Sequence, residues 1–494
     1  MLCSLLAHSA FAAKWEVEPA LYFTETYTDN LRLSSPGSEQ QEWVSTISPR
    51  IRIRGLSDRL LVDIDYKPEF MFWAREGHSQ FLQLYDASAT AEFVKRTLFL
   101  DARAVERRES VTLFGPLTDN NANIVENRTS VRIKAISPYL RHDFGTVASG
   151  EARLTYSTVN ADAQGSVFDS KSKAVDLRLS SGPAFRLRSW TLGYGRERID
   201  YDNSLLPEVE TQKAFATFKQ LITRHAAVIA EGGYEDNTFL ATGAAPRGPF
   251  WSAGAEWDPG TRTHLSAAVG RRFFGPTRAF DFRHRTRLTV WRANYTEDIS
   301  TTRSQFLFPA TLQTAAFLDS LFQSLISDAA ARRDAVNAFI VQNGLSAQLS
   351  GPINYFTASP FLIKRLEGSV ALEGVRNTVL ASLYAETREE LGKIQSGIAD
   401  LIASDRTRQR GGNVQWSLRI SPRTTSIVNL GAARNEFLDT GREDRFRIVR
   451  LSLARQLSPR ITGSLNLRRV QNTSTQSDSS YTENAVSVTV IAKF

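Results

Sequence analysis

The sequence predicts an all-β protein: a transmembrane, antiparallel, up-and-down β-barrel of about 22 strands with one helical loop insert. Three observations predict this fold. Segments of about 9 to 14 residues alternate apolar and polar side chains, which is typical of strands with one face in lipid. Short and long connections alternate between these segments. A last alternating segment ends on Phe494.

Composition is consistent with a barrel and excludes a helical membrane protein. The 494 residues are 42% hydrophobic and 23% charged, and no stretch approaches the roughly 18 uncharged apolar residues of a spanning helix. In a barrel only alternate side chains face lipid, so the mean hydropathy of −0.27 is no objection. The basic residues behind the net charge of +8 are spread along the chain. Because nucleic-acid binding needs them clustered, we expect no nucleic-acid partner.

Residues 1–13, MLCSLLAHSAFAA, predict a signal peptide with Ala13 as its last residue, because an apolar run ends in small residues. A buried N-terminal strand or helix is the alternative. No Lys or Arg precedes the apolar run, so we expect the signal to be incomplete. It carries Cys3, the only cysteine. Residues 14–494 would then form the barrel, in the bacterial outer membrane.

The strands can be followed in order from the N-terminus. Between Trp43 and Arg54, Trp43 and three isoleucines form one face, while Arg50, Arg52 and Arg54 lie on the other. The same alternation recurs near 60–67, 153–157, 175–179, 414–420 and 461–468. A Ser-Pro-Arg sequence marks two late turns, and its copy at Ser48–Arg50 suggests that the first turn begins early, because proline suits turns.

The connections give an independent test of the barrel. Short turns are expected near 55–58, 95–97, 141–145, 181–183, 223–224, 258–260, 285–286, 373–375, 421–423 and 458–460. Longer polar connections lie between them, including one at 108–126. Because periplasmic turns of such barrels are short and extracellular loops are long, this alternation places both termini in the periplasm.

One segment breaks the strand pattern. Apolar residues between Pro309 and Val341 recur every three or four positions, which predicts amphipathic helices within an insert spanning 303–350. The insert lies in the longest extracellular loop. It is expected either to cap the barrel rim or to fold into the lumen as a plug or gate.

Arginines on the polar face are the candidate lumen-lining residues. They are Arg50, Arg52, Arg153, Arg178, Arg419 and Arg468. One interpretation is that they pair with carboxylates such as Asp63, Asp65 and Asp176 to hold the wall together. The other is that they attract an anion or an acidic glycan through charge and bidentate hydrogen bonds.

No motif indicates an enzyme, a cofactor or a metal site. The histidines are scattered without ligand spacing, and no nucleophile motif or phosphate-binding loop is present. The run Asp119–Asn123 contains possible calcium ligands but lacks the spacing and the glycine of a calcium loop. We therefore expect this run to be a solvated loop.

The last strand is the most specific element of the sequence. Val486, Val488 and Val490 alternate with polar residues and share a face with Phe494. This pattern resembles the C-terminal signature by which the outer-membrane assembly machinery recognises its clients. Ala492 departs from it, since an aromatic residue is common there.

Three stretches resemble outer-membrane proteins associated with the PEP-CTERM/exosortase system. They are Tyr22–Asn30 (YFTETYTDN), Gly270–Thr277 (GRRFFGPT) and Tyr295–Gln305 (YTEDISTTRSQ). The resemblance implies a Gram-negative locus for exopolysaccharide production and surface-protein sorting, and it assigns no catalytic residue. Without a Pro-Glu-Pro tail, the chain would be a component of the system and not a sorted substrate.

These observations lead to one functional expectation and two alternatives. We expect a monomeric barrel that supports export of exopolysaccharide or another polymer, with outer-membrane lipid and exosortase-system components as partners. A structural or docking barrel with an occluded lumen is the first alternative. A nutrient-uptake porin or receptor is the second. The energy-coupled receptor is disfavoured, because that class carries a folded plug domain before the barrel and the first strand is expected within about ten residues of the cleavage site.

Overall fold

A computed structural model describes most of the chain. The described residues are 14–118, 120–162, 169–203, 208–238, 246–307, 318–319, 322, 331–332, 335–336, 352–353, 360–391 and 406–494. The expected signal peptide, residues 1–13, lies outside them. So does most of the predicted insert 303–350, although its described positions from 318 to 336 are helical.

Antiparallel strands make up nearly all of the regular structure. The strands of the first half are β1 (Lys14–Thr28), β2 (Glu42–Leu56), β3 (Leu60–Tyr66), β4 (Glu69–Trp73), β5 (His78–Leu82), β6 (Tyr85–Val94), β7 (Leu98–Ser110), β8 (Arg128–Phe144), β9 (Ala148–Ala161), β10 (Ser170–Ser181), β11 (Arg188–Tyr201) and β12 (Val209–Thr223). A 3-10 turn, Pro183–Phe185, precedes β11.

The strands of the second half are β13 (Ala226–Asn237), β14 (Arg247–Gly260), β15 (Thr263–Arg272), β16 (Gly275–Arg285), β17 (Thr289–Ser300), β18 (Phe361–Glu373), β19 (Asn377–Glu390), β20 (Arg406–Ser421), β21 (Thr424–Phe437), β22 (Arg442–Gln456), β23 (Ile461–Ser474) and β24 (Tyr481–Lys493). A short helix, α1 (Thr302–Leu307), follows β17. Among the described residues, no helix is long and apolar enough to cross a membrane.

The sheet closes on itself because β1 pairs with β24, from Ala20 opposite Lys493 to Thr28 opposite Ala485. The sheet has 24 segments but 22 barrel strands. β3 and β4 together form one strand with an interruption, and β5 and β6 together form another. The closed 22-strand barrel predicted from the sequence is confirmed.

The interruption of the third barrel strand has a local cause. Lys67 and Pro68 separate β3 from β4, and both segments pair with β2. Proline has no N–H to donate to the neighbouring strand, so the pairing with β2 stops at Pro68 and resumes in β4. By contrast, Pro49 lies inside β2 opposite Leu21, so the expectation of an early first turn at Ser48–Arg50 is wrong.

The two faces of the wall differ as the alternation predicts. Outward side chains are apolar and exposed, for example Phe23, Leu154 and Trp251. Short turns join the strands at the end of the barrel where β1 begins, so this end is periplasmic and the longer connections are extracellular. Buried apolar residues are instead concentrated on the inner side near the long connections.

Candidate functional site

The lumen is the candidate functional site, and its wall is lined by charged side chains on the face opposite the exposed apolar residues. Most of these charges pair with a neighbouring strand. Arg50 on β2 binds both carboxylate oxygens of Asp65 on β3, and it also donates to the Tyr22 hydroxyl at 3.2 Å. Arg52 binds Asp63 at 3.1 Å. Alternation therefore supplies the wall with cross-strand ion pairs.

The other predicted lumen arginines differ in their surroundings. Arg153 on β9 binds Asp101 at 2.7 Å and Glu151 at 3.3 Å, and its guanidinium lies 3.8 Å from the Tyr139 ring centroid. Arg178 and Arg419 are exposed near the short-turn end. Arg468 is buried. The six arginines thus share the inner face, but they form no single cluster.

The connection between β7 and β8, residues 111–127, folds into the barrel; we call it the lumen loop, and of it only residue 119 is not described. Ala122 and Ile124 pack against Leu31 and Trp73 in one apolar cluster. Val125 joins Val470 and Tyr481 in a second. The loop therefore reaches from β7 and β8 to the wall on both sides of the closure between β1 and β24.

Hydrogen bonds between the lumen loop and the wall fix this position. The Trp73 indole donates to the Ala122 carbonyl at 2.8 Å. The Tyr481 hydroxyl accepts from the Leu117 backbone N–H and donates to its carbonyl, both at 3.0 Å. Arg442 donates to the Phe114 carbonyl at 2.9 Å. Backbone groups of the loop that would be costly to bury unpaired are satisfied by wall side chains.

A buried ion pair holds the centre of the loop; we call Thr28, Asn123, Arg468 and Glu483 the Glu483 cluster. Arg468 donates to both carboxylate oxygens of Glu483, at 2.7 and 2.8 Å. Asn123 donates to Glu483 at 2.7 Å and accepts from Arg468 at 3.2 Å. The Thr28 hydroxyl donates to Glu483 at 2.7 Å. Three wall strands and the loop thus meet at one carboxylate.

A second connection, between β17 and β18, enters the lumen on the other side. Arg303 of α1 is buried and donates to the Ser170 hydroxyl at 2.9 Å and to the Ser157 carbonyl at 2.8 Å. Further along, Ile353 exchanges backbone hydrogen bonds with the Gln409 side chain, at 3.0 and 3.3 Å. Because β10 and β17 are seven strands apart, α1 spans part of the lumen.

The lumen is therefore divided along its axis. Its extracellular half contains the lumen loop and the described parts of the β17–β18 connection. Its periplasmic half is lined by partly exposed ion pairs such as Lys219–Glu256 and Arg153–Asp101. Among the described residues, no group of three or more His, Cys, Asp or Glu residues could hold a metal ion.

The lumen loop is not predicted from the sequence. The run Asp119–Asn123, within the long connection 108–126, is predicted to be a solvated loop, and this is wrong for its described residues, because Asn121 and Asn123 bind wall side chains. The asparagines favoured the solvated interpretation. The one contrary signal is the apolar set Leu113, Leu117 and Val125, which a solvated loop has no reason to carry.

The expected assembly-signal residues lie on the outer face of β24 and just beyond it. Val486, Val488 and Val490 are 41%, 51% and 42% exposed. The Phe494 backbone N–H donates to the Pro19 carbonyl at 3.1 Å, and its side chain is exposed. The terminal residue therefore continues the ladder that closes the barrel.

No protein-family model and no curated protein matches the chain. Among solved structures, the apoprotein form of the FrpB iron transporter from Neisseria meningitidis (F5-1 variant) matches with a TM-score of 0.50 and 8% identity, over 97% of this chain and 81% of that one. The siderophore receptor PirA from Pseudomonas aeruginosa gives a TM-score of 0.48 and 8% identity, covering 97% and 80%.

OpdK from Pseudomonas aeruginosa, solved with vanillate, gives a TM-score of 0.32 and 12% identity, covering 97% of this chain and 99% of that one. At such identities the likeness concerns the fold alone. The closed 22-strand sheet and its exposed, outward apolar face are themselves the features of an outer-membrane barrel. The chain is a large β-barrel of the bacterial outer membrane.

Proposed function

We propose that this barrel is a gated outer-membrane conduit that supports export of exopolysaccharide or another polymer, as its resemblance to barrels of the PEP-CTERM/exosortase system implies. The observation that carries the proposal is the lumen loop. It enters a barrel of 22 strands and is held by the Glu483 cluster, so passage through that side of the lumen requires the loop to move.

The periplasmic half of the lumen supports a hydrophilic cargo. Its paired charges keep the wall polar without a large net field, which suits a hydrated polymer better than an apolar solute. Near the short-turn end, Phe99 and Tyr139 stack with ring centroids 4.9 Å apart, and Arg141 lies over both rings. Aromatic faces beside cations offer a surface on which sugar rings bearing acidic groups can rest.

The contacts of the lumen loop suit a gate better than a permanent seal. Side chains of the wall hold it, and none of its described residues belongs to a strand of the barrel. Loop displacement would leave the ladder intact from β1 to β24, so the wall would survive opening. An outer-membrane exporter needs this separation between a stable wall and a movable obstruction.

Conductance in planar bilayers tests the proposal. Deleting 113–125 should raise single-channel conductance, because it removes the described obstruction beside the Glu483 cluster. Deleting 310–340 tests the predicted helical insert in the same way. Each variant must first show the heat-modifiable mobility of a folded barrel. A closed wild type that opens in either variant supports gating. If the wild type is already open and neither deletion changes its conductance, the gating proposal is contradicted.

A structural or docking barrel with an occluded lumen is the second candidate function, and a buried network on the other side of the lumen favours it. Glu386 is fully buried between Arg365 and Arg388, and Arg388 donates to the Ile353 carbonyl at 3.2 Å. The described end of the β17–β18 connection is thus held to the wall by a buried charge network, as the lumen loop is at the Glu483 cluster, and a lumen in which both stay in place is occluded. Absence of conductance even when both connections are deleted would support this candidate.

A further inference from the structure

The outer face of β20–β22 carries a concentration of arginines directly above the apolar band. These residues share the strand face of the exposed Val414, Leu430 and Val449, so they point away from the lumen. The set comprises Arg406, Arg408, Arg410, Arg434, Arg445 and Arg447, with Glu436 and Glu443 as the two acidic residues on the same face of these strands. The surface is therefore strongly positive.

The register of the strands makes this concentration more unusual. Arg410 lies opposite Arg434, and Arg434 lies opposite Arg445, so three like charges form one row across three strands. Like charges directly opposite each other destabilise a sheet. Anions must lie close to such a row to offset its repulsion, and the carboxylates of the protein offset only part of it.

The two glutamates neutralise part of the row. Glu436 binds Arg408 at 3.3 Å and Arg434 at 3.0 Å, and Glu443 binds Arg434 at 2.7 Å and Arg445 at 2.5 Å. In the part of the chain that the structure describes, Arg410 and Arg447 form no ion pair, and both are exposed. Positive charge is thus left at the two positions nearest the apolar band.

An apolar groove of about 770 Å³ begins at Arg447 and crosses the outer face toward β17. This volume lies in the range of about 300–1,000 Å³ that ligand sites occupy. Its walls include Trp291, Val414, Leu430 and Val449. Gly368 leaves the floor open, since a Cβ placed there would meet nothing within 4 Å. Arg447 lies opposite Ala432 and therefore overhangs the extracellular end of the groove.

We propose that this surface binds a phosphorylated, acylated glycolipid of the outer leaflet, with an acyl chain in the groove and phosphates on Arg410 and Arg447. Guanidinium groups bind phosphate through paired hydrogen bonds. An outward arginine is costly in the bilayer centre and nearly free at the interface, where a phosphate lies. The row of arginines fits a headgroup with more than one phosphate. The proposal rests on the outer-membrane location and not on the exported cargo.

Native mass spectrometry of the full barrel, released from phosphatidylethanolamine nanodiscs with and without bis-phosphorylated lipid A, tests the proposal. Wild type should retain one lipid A. The double variant Arg410→Gln/Arg447→Gln should bind it roughly thirtyfold more weakly, since each basic residue near a charged membrane surface contributes about fivefold. Gly368→Phe should also lose lipid A, because the new ring occupies the groove while its Cβ meets nothing within 4 Å.

The matched control is Arg196→Gln/Arg198→Gln. These two arginines also point outward and are exposed, but they lie on β11, across the barrel from β20–β22, and are already paired with Glu210 and Glu208. This variant should keep wild-type affinity. Equal retention of lipid A by all variants would overturn the proposal. So would equal binding of dephosphorylated lipid A or of phosphatidylglycerol, since either result removes the need for a phosphorylated glycolipid. Heat-modifiable mobility confirms that each variant is folded.

Discussion

At the scale of single residues, Glu483 is where the wall and the lumen loop depend on each other. Its carboxylate is fully buried and faces Arg468, Asn123 and Thr28. Removing one partner of a buried ion pair destabilises a protein more than replacing both partners with apolar residues, because the remaining charge stays desolvated without its counter-charge.

We therefore expect Glu483→Gln to lower the free energy of unfolding by about 3–5 kcal/mol. Urea titration in lipid vesicles, followed by tryptophan fluorescence, measures this loss. Protease cleavage within the lumen loop should also accelerate. Glu231→Gln is the matched control, since Glu231 pairs with Lys213 at a partly exposed site and should cost under about 1 kcal/mol. Equal losses in both variants would contradict the special role of the Glu483 cluster.

Glu42 shows a different use of a buried carboxylate. It lies at the extracellular end of β2, above Tyr27 and Trp43, whose ring centroids are 5.1 Å apart and mark the membrane boundary. Its oxygens accept backbone N–H groups of Trp43, Arg75 and Glu76 at 2.8 to 2.9 Å. Burial opposes ionisation, but these donors outweigh it and hold the pKa of Glu42 below its usual 4.5.

A lowered pKa contributes stability above the ordinary pKa of the group, and that contribution is lost as pH falls through the lowered value. Glu42→Gln should thus cost about 1.5–3 kcal/mol at pH 7, because hydrogen bonds to a charged group are lost. The difference from wild type should shrink below about pH 4.5. Urea unfolding at pH 7 and pH 4 measures both values, and a difference independent of pH would contradict this account.

At the scale of elements, the sequence predicts the strands well because lipid enforces the alternation. Residues such as Ile51 and Leu465 must face outward, and a shift of one residue would place their charged neighbours in hydrocarbon. The pairing of Arg50 and Arg52 with Asp65 and Asp63 follows from the same alternation once the strands are adjacent.

Inside the lumen the same reasoning fails. Water and protein are both acceptable neighbours for a polar loop, so the composition of 111–127 does not decide between a solvated and a buried position. The partners of Asn123 lie 345 and 360 residues away, at Arg468 and Glu483. Only the closed barrel brings them together, and no local pattern predicts that contact.

The final strand carries a prediction of its own. Phe494→Ser should reduce the yield of heat-modifiable barrel in the outer membrane several-fold, because it removes the terminal apolar side chain that the assembly machinery is expected to recognise. Lys493→Ser is the control, since Lys493 belongs to the inward face of the same strand. Quantitative gel analysis of membrane fractions measures both. Normal yield from Phe494→Ser would count against the signature.

At the scale of the whole molecule, the alternation of turns fixes the orientation. Single cysteines test it, because the only native cysteine is Cys3. Asp478→Cys, between β23 and β24, should react with a membrane-impermeant maleimide on intact cells. Asp58→Cys, in the turn between β2 and β3, should react only after the outer membrane is broken. The reverse pattern would invert the assigned orientation.

Closure of the wall also governs when this protein can form. Thr24 on β1 hydrogen-bonds Thr489 on β24, a contact that spans 465 positions of the chain. The opening strand cannot meet its partner until the last strand has been synthesised and exported. Contacts of such long range make folding slow and leave unpaired strand edges exposed meanwhile. We therefore expect the polypeptide to cross the periplasm unfolded and to depend on holding chaperones as much as on the membrane that receives it.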